Sequence, residues 1–168
     1  MIDPLDTLAA RLGDLLRQRG LALATAESCT GGWIAKTATD IPGSSAWLEC
    51  GFVTYSNAAK QAMLGVRAET LEAHGAVSAA TVLEMVAGAV ARSRAQVAVA
   101  VSGIAGPGGG SADKPVGTVW LAWAVPGRAP WAQRHRFAGE REAVRRQTVQ
   151  CALEGLIGAL DAPPRGDD

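Results

Sequence analysis

The chain has 168 residues, of which 48% are hydrophobic and 19% are charged, and its sixteen basic side chains balance sixteen acidic ones. This length and composition predict a single globular domain spanning residues 1–168, with a core at about 5–160 and a flexible tail at 161–168. Nucleic-acid and membrane surfaces normally bind proteins that have a basic excess. The zero net charge therefore argues against both kinds of partner.

The cysteine and histidine content bears on compartment and on metal binding. Three cysteines without a Cys-x-x-Cys pair are typical of reduced thiols, so we expect a cytoplasmic protein. The N-terminal segment has early acidic residues and no apolar run, which argues against a signal peptide. The apolar runs elsewhere are too short to span a bilayer. Two histidines without metal-ligand spacing predict that there is no metal site.

Helical and strand signals alternate through the first two thirds of the chain. Apolar periodicity and capping residues predict helices at residues 4–19, 28–39, 57–64, 68–75 and 78–93. Apolar or β-branched runs predict strands at residues 21–27, 46–56 and 96–103. A Pro-Gly-Ser-Ser turn separates the second helix from the second strand.

The last third of the chain begins with a glycine-rich loop at 104–117 and continues with a predicted hairpin. The hairpin strands, residues 118–125 and 131–137, are joined by Pro-Gly-Arg-Ala-Pro, and a long helix at 140–160 follows them. Helices that flank a sheet with both crossover and hairpin connections are typical of the α/β class. The predicted fold is a three-layer α/β/α sandwich with a mixed central sheet.

Clusters rich in glycine or hydroxyl groups lie at the ends of the predicted strands, where layered α/β proteins bind ligands. After the first strand, Ser28 and Thr30 either cap the next helix or bind an anion at its positive end. Cys29 is an alternative thiol nucleophile there, although it has no evident histidine partner. The glycine-rich loop is either a connector or a backbone cradle for a phosphate or an oxyanion.

The second predicted strand has Ser45 directly before it, Tyr55 near its end and Lys60 after it. A serine becomes a nucleophile when a base removes its proton, and a lysine can be that base if burial keeps it neutral. Ser45 and Lys60 meet only if the chain bends back. Turn serines and a solvated helical lysine are the other interpretation of the same residues.

Four motifs together resemble the CinA C-terminal domain. They are TAESCTGGWIA, PGSSAWLECGFVTYSNAAK, GAVS and AVSGIAGPGGG with the following KPVGTVWLA, in the family's order. The free-standing bacterial members of this family are nicotinamide-nucleotide amidohydrolases of the PncC type. The resemblance implies hydrolysis of nicotinamide mononucleotide to nicotinate mononucleotide and ammonia, a step in NAD salvage. It also implies a serine/lysine mechanism that needs no metal and no cofactor.

The resemblance further implies roles for individual residues. Ser45 matches the nucleophile, Lys60 the general base and Tyr55 an assisting tyrosine. Residues implied in substrate binding are Ser28, Thr30, Gly31, Asn57, Ser102, Gly103, Gly106, Arg146 and Gln147. Arg141 and Arg145 lie close to the Arg-Gln pair, so the choice of arginine for the substrate phosphate stays open. Family members tend to self-associate, which implies a homodimer or a higher homo-oligomer.

Two other functions compete with this hypothesis. A catalytically silent nucleotide-binding module with a competence- or damage-related partner would bind the nucleotide without turnover. A pyridine-nucleotide pyrophosphatase would need carboxylates to hold a metal, and Glu27, Glu49 and Asp113 are scattered along the chain. The intact set of candidate catalytic residues favours the hydrolase.

Overall fold

The computed structural model describes residues 1–162; the predicted tail at 161–168 lies almost entirely outside this range. The elements in chain order are α1 (Pro4–Arg19), β1 (Leu23–Glu27), α2 (Trp33–Thr39), a short 3-10 turn (Ser44–Ala46), β2 (Leu48–Val53), α3 (Asn57–Leu64), α4 (Ala68–His74), α5 (Ala79–Ala91), β3 (Val97–Gly103), β4 (Thr118–Ala124), β5 (Trp131–Arg136) and α6 (Arg141–Asp161). Within residues 1–162, no helix combines the length and the apolar character needed to cross a membrane.

The five strands form one sheet in the order β2-β1-β3-β4-β5. The strands β2, β1 and β3 run parallel, whereas β4 and β5 continue the sheet antiparallel as a hairpin. Helices α1, α2 and α6 cover one face around Leu12, Ile34 and Leu153, and α5 with α3 covers the other around Met85 and Leu64. The predicted α/β/α sandwich with a mixed sheet is confirmed.

Two of the element boundaries that differ from the sequence predictions affect the site. The second helix begins at Trp33, later than a cap at Ser28 or Thr30 would place it, because Gly31 and Gly32 adopt left-handed backbone with φ of 60° and 99°. Residues 28–32 therefore form a loop. The second strand ends at Val53, after which the Ser56 hydroxyl accepts a hydrogen bond from Ala59 N and caps α3.

The parallel strands bring three chain segments to one edge of the sheet. The loop at 28–32 leaves the carboxyl end of β1, residues 54–56 leave that of β2, and Ser102 lies at that of β3. Carboxyl ends of neighbouring parallel strands form the usual ligand-binding crevice of α/β sheets. The fold therefore directs Ser28, Ser102 and the start of α3 toward one site.

Close packing of α5 against the end of α3 depends on Gly88. A Cβ atom added at Gly88 would lie 1.9 Å from the carbonyl oxygen of Leu64, so a side chain must push the helices apart. We expect Gly88→Ala to destabilise the protein by about 1–3 kcal/mol, measured by urea unfolding.

Gly158 provides the matched control, because it also lies within a helix but is exposed and has open space around its Cβ position. Gly158→Ala should stabilise the protein by up to about 1 kcal/mol, since alanine has the higher helix propensity. Equal effects of the two substitutions would contradict the packing argument.

Candidate active site

A cavity of about 220 Å³ opens at the carboxyl edge of the parallel strands. Its lining residues come from the ends of three strands and the loops that follow them, from α3, from the connection between α4 and α5 and from the start of α6. They are Ser28, Cys29, Tyr55, Asn57, Lys60, Ala76, Val77, Ser102, Gly103, Ala105 and Arg141. Six of the residues predicted to form the site lie together here: Ser28, Tyr55, Asn57, Lys60, Ser102 and Gly103.

Lys60 is a lysine whose side chain is held inside the protein. It is 1% exposed, and its Nζ lies 3.0 Å from Ser28 Oγ, 2.9 Å from the Thr54 carbonyl oxygen and 3.3 Å from the Tyr55 carbonyl oxygen. None of these partners is a carboxylate. Burial without a counter-ion lowers the pKa of Lys60 below its ordinary value of 10.5.

The three partners of Lys60 fit a neutral amine. Carbonyl oxygens only accept hydrogen bonds, so the Thr54 and Tyr55 oxygens can take the two N–H groups that a neutral amine has. The Ser28 hydroxyl can also donate, and its proton can point at the remaining lone pair of Nζ. This arrangement can remove the proton from Ser28 Oγ.

Ser28 is fixed at the end of β1 by backbone contacts and lies 8% exposed at the cavity wall. Its amide N–H donates to the Val101 carbonyl oxygen of β3 at 3.1 Å. Arg145 of α6 holds the next residues, donating from Nε to the Cys29 carbonyl at 2.9 Å and from Nη2 to the Thr30 carbonyl at 3.1 Å. The serine hydroxyl therefore has a defined place beside Lys60.

Ser45, the predicted nucleophile, does not lie beside Lys60 in this chain. Ser45 is exposed on the 3-10 turn before β2, whereas Lys60 lies in α3 after that strand. The six residues of β2 carry the chain about 20 Å between these points, at about 3.3 Å per residue. The serine that contacts Lys60 is Ser28, which the sequence placed only in substrate binding or capping.

Thr30 and Gly31, which were predicted to bind substrate, are not among the lining residues of this cavity. Thr30 is fully buried, and its hydroxyl donates to Glu27 inside the protein. Gly31 is on the exposed side of the loop near the Arg145 guanidinium. Both residues shape the loop that carries Ser28, because the turn needs the left-handed backbone of Gly31.

The arginine at the cavity is Arg141. Its Nη2 donates to the Tyr55 hydroxyl oxygen at 3.0 Å and its Nη1 to the Gly106 carbonyl oxygen at 2.8 Å. Tyr55 is 62% exposed, so this pair lies at the mouth of the site. Arg141 joins the start of α6, the glycine-rich loop and the segment after β2.

The predicted binding pair Arg146 and Gln147 lies elsewhere. Arg146 forms an ion pair with Asp3, and Gln147 donates to the carbonyl oxygens of Ala138 and Ala143. Residues four apart share one face of a helix, so Arg141 and Arg145 face the site together. Positions 146 and 147 are turned away from that face.

Cys29 lines the cavity but does not have the properties of a thiol nucleophile. It is 6% exposed, and burial raises its pKa to about 11, although the nearby Arg145 charge acts in the opposite direction. A thiol with this pKa stays protonated near neutral pH. The alternative mechanism through Cys29 is therefore not supported.

A second cavity of about 530 Å³ adjoins the first and has Ala105 and Arg141 as shared walls. Its other lining residues are Pro107, Val116, Gly139 and Glu140. Gly106, predicted to bind substrate, contributes its carbonyl oxygen to Arg141 and is not among the lining residues of either cavity. The residues between 1 and 162 contain no group of three or more His, Cys, Asp or Glu side chains that could hold a metal ion.

Comparisons with known proteins agree with the family resemblance of the four sequence motifs. The family model described as CinA C-terminal domain matches residues 5–160. The nicotinamide-nucleotide amidohydrolase PncC of Escherichia coli strain K12 is 57% identical over 149 residues, which cover 89% of this chain and 90% of the relative. The protein of the same name from Pseudomonas putida is 58% identical over 156 residues, covering 93% and 97%.

Solved structures of similar proteins have the same fold. The competence/damage inducible protein CihA from Agrobacterium tumefaciens is 50% identical with a TM-score of 0.92, over 96% of this chain and 98% of that one. A CinA superfamily protein from Klebsiella pneumoniae is 44% identical with a TM-score of 0.90, over 94% and 98%. These proteins are therefore similar to this chain both in sequence and in fold.

The lowered pKa of Lys60 makes the stability of the folded protein depend on pH. Between the lowered folded pKa and the unfolded value of about 10.4, the unfolded chain binds more protons, so stability rises with pH. Lys60→Met removes this contribution. We expect the wild type to gain more stability than Lys60→Met between about pH 7 and about pH 10, measured by denaturant unfolding.

Lys36 is the matched control, because it is exposed and its pKa is raised by the adjacent Asp40. A raised folded pKa gives stability that is lost as pH rises, which is the opposite sign. Lys36→Met should therefore keep the rise in stability that Lys60 causes. The same pH slope in Lys60→Met and the wild type would be incompatible with a buried amine of lowered pKa.

Proposed function

The chain belongs to the CinA C-terminal domain family, and on that premise we propose that it hydrolyses nicotinamide mononucleotide to nicotinate mononucleotide and ammonia. Relatives named as nicotinamide-nucleotide amidohydrolases are 57–58% identical over about nine tenths of both chains. The reaction belongs to pyridine-nucleotide salvage. It is carried out by the residues of the 220 Å³ cavity.

One observation carries the mechanism: the buried Nζ of Lys60 lies 3.0 Å from Ser28 Oγ and has no carboxylate partner among residues 1–162. Ser28 is the nucleophile and Lys60 is the general base. A general base works best when its pKa lies near the working pH, and burial moves the pKa of Lys60 in that direction. The Ser45 assignment is replaced by Ser28 for this reason.

The first half-reaction forms an acyl-enzyme. Lys60 Nζ takes the proton from Ser28 Oγ as that oxygen attacks the carboxamide carbon, giving a tetrahedral adduct. The protonated Lys60 then delivers its proton to the departing amide nitrogen. The carbon–nitrogen bond breaks, ammonia leaves, and the nicotinoyl group stays on Ser28 as an ester.

The second half-reaction repeats the sequence with water. Lys60, neutral again, takes a proton from water as the water oxygen attacks the ester carbonyl carbon. The bond to Ser28 Oγ breaks, the proton returns to that oxygen, and nicotinate mononucleotide leaves. Ser102, which is 2% exposed and lines the cavity, is positioned to donate to the developing oxyanion. One such donor contributes about 3–4 kcal/mol to transition-state stabilisation.

The nucleotide part of the substrate needs room and a cation. The 530 Å³ cavity beyond Arg141 provides the room, and the Arg141 guanidinium faces both cavities. Arginine forms strong charge-assisted hydrogen bonds with phosphate. We therefore assign the phosphate to Arg141, with Tyr55 and Asn57 along the mouth of the cavity for the ribose and the pyridine ring.

Self-association and a cytoplasmic location are further parts of this proposal. Three large hydrophobic side chains stay exposed on the edge strand β2 or in the residues that follow it, Val53, Tyr55 and Met63, and contact with a second copy of the chain would bury them. All three cysteines are free, as expected in a reducing compartment.

The alternative function, a silent nucleotide-binding module, would bind nicotinamide mononucleotide without releasing ammonia.

The dyad is tested by three variants in an ammonia-release assay with nicotinamide mononucleotide. Ser28→Ala and Lys60→Met should lower kcat by about 1,000-fold or more, because each removes a group that takes part in bond formation. Ser45→Ala should keep at least a tenth of the wild-type kcat, since Ser45 does not contact Lys60 within the chain. Wild-type turnover by Ser28→Ala would refute the Ser28–Lys60 dyad, and no ammonia release by the wild type would refute the proposed reaction.

The phosphate assignment is tested with Arg141→Met. Loss of a charge-assisted hydrogen bond should raise KM for nicotinamide mononucleotide about tenfold or more. Nicotinamide riboside lacks the phosphate, so its kcat/KM should change much less.

Arg146→Met is the control on the same helix, because Arg146 is paired with Asp3 away from the cavity. Its KM should match the wild type. An equal loss with the riboside and the mononucleotide in Arg141→Met would show that Arg141 does not bind the phosphate.

A further inference from the structure

Glu27 is a fully buried carboxyl group directly before the nucleophile, and the mechanism above does not use it. Its Oε1 accepts from the Thr30 hydroxyl at 2.7 Å and from Ile34 N at 2.8 Å. Its Oε2 accepts from Ala35 N at 3.0 Å and from the Thr25 hydroxyl at 3.1 Å. All four contacts are donated to the carboxyl oxygens, which suits the ionised form.

The four donors divide into two groups. Thr25 lies within β1 and belongs to the sheet. Thr30, Ile34 and Ala35 lie in the loop and in the first turn of α2, so they connect the carboxylate to the segment that follows Ser28. The α2 amides would otherwise lack partners inside the helix, and a carboxylate at this end is electrostatically favourable.

Thr30 is held from two sides. Its hydroxyl donates to Glu27 beneath the loop, and its carbonyl oxygen accepts from Arg145 above the loop. The neighbouring Gly31 and Gly32 are in left-handed conformations and have no side chains to fix the turn. The position of Ser28 therefore depends on charged groups outside the cavity.

We propose that Glu27 is a positioning residue: through Thr30 and the first turn of α2 it holds the loop that places Ser28 Oγ against Lys60. This inference rests on the proposed function, in which Ser28 is the nucleophile. A displacement of a reacting atom by 1 Å costs about 100-fold in rate. Substrate binding should change little, because Tyr55, Asn57 and Arg141 belong to other segments.

Two threonines provide a matched test, because each is fully buried and donates one hydroxyl hydrogen bond to Glu27. Thr30→Val removes the hydrogen bond from the loop to Glu27, and Thr25→Val removes the hydrogen bond from the sheet to Glu27. Valine has nearly the shape of threonine, and the two positions are equally buried. We expect Thr30→Val to lower kcat about tenfold or more without a comparable rise in KM. Thr25→Val should keep the wild-type kcat.

Thr30→Ser is the rescue variant, since it restores the hydroxyl and should restore most of kcat. Unfolding measurements on all three variants show whether the two valine variants lose comparable stability. Equal kcat in Thr30→Val and Thr25→Val, or a failure of Thr30→Ser to recover kcat, would overturn the positioning role. A purely structural role predicts loss of stability in both valine variants and loss of kcat in neither.

The same assay separates this inference from the proposed function. If the wild type releases no ammonia from nicotinamide mononucleotide, the proposed function fails. If Ser28→Ala keeps turnover, Ser28 is not the nucleophile, and the mechanism on which this inference rests fails. If Ser28→Ala is inactive while Thr30→Val and Thr25→Val behave alike, the nucleophile stands and the positioning role of Glu27 fails.

Glu27→Gln changes the carboxyl group itself. The glutamine amide would place its own N–H donors against the buried groups that donate to Glu27, so we expect it to lower kcat more than Thr30→Val does.

Discussion

The site depends on the burial of one amine without a counter-charge. Lys60 lies inside the protein with two carbonyl oxygens and one hydroxyl around its nitrogen, and no carboxylate of residues 1–162 contacts it. Removal of an ammonium group from water is costly, so the neutral form becomes more favourable there. The cost to stability and the capacity to accept a proton from Ser28 have the same physical origin.

Rigid neighbours are needed to keep that amine buried and its partner in place. Helix α3 carries Lys60 and packs closely on α5, where Gly88 permits the contact with Leu64. The loop that carries Ser28 is held by Glu27 from within and by Arg145 from α6. Glu27 and Arg145 thus hold backbone and hydroxyl groups of the loop. Among the described residues that line the cavity, Lys60 and Arg141 are the charged ones.

The sequence was informative wherever a local pattern carried the signal. The buried run of β3 and the hairpin of β4 and β5 were predicted from composition and turn residues, and the layered fold followed from them. The long motifs indicated the family and most of the cavity residues. The start of α2 was misplaced, because a serine and a threonine before a helix resemble caps, whereas Gly31 and Gly32 keep this segment in a loop.

The sequence by itself determined the class of the sheet, the family and the set of polar residues that follow the parallel strands. Only the tertiary structure decided which serine meets Lys60, because β2 carries Ser45 and Lys60 to opposite edges while β1 brings Ser28 to the lysine. It also decided which arginine faces the site, since helical phase separates Arg141 and Arg145 from Arg146. Chain order fixes neighbours along the strand, but contact across strands depends on their pairing and direction.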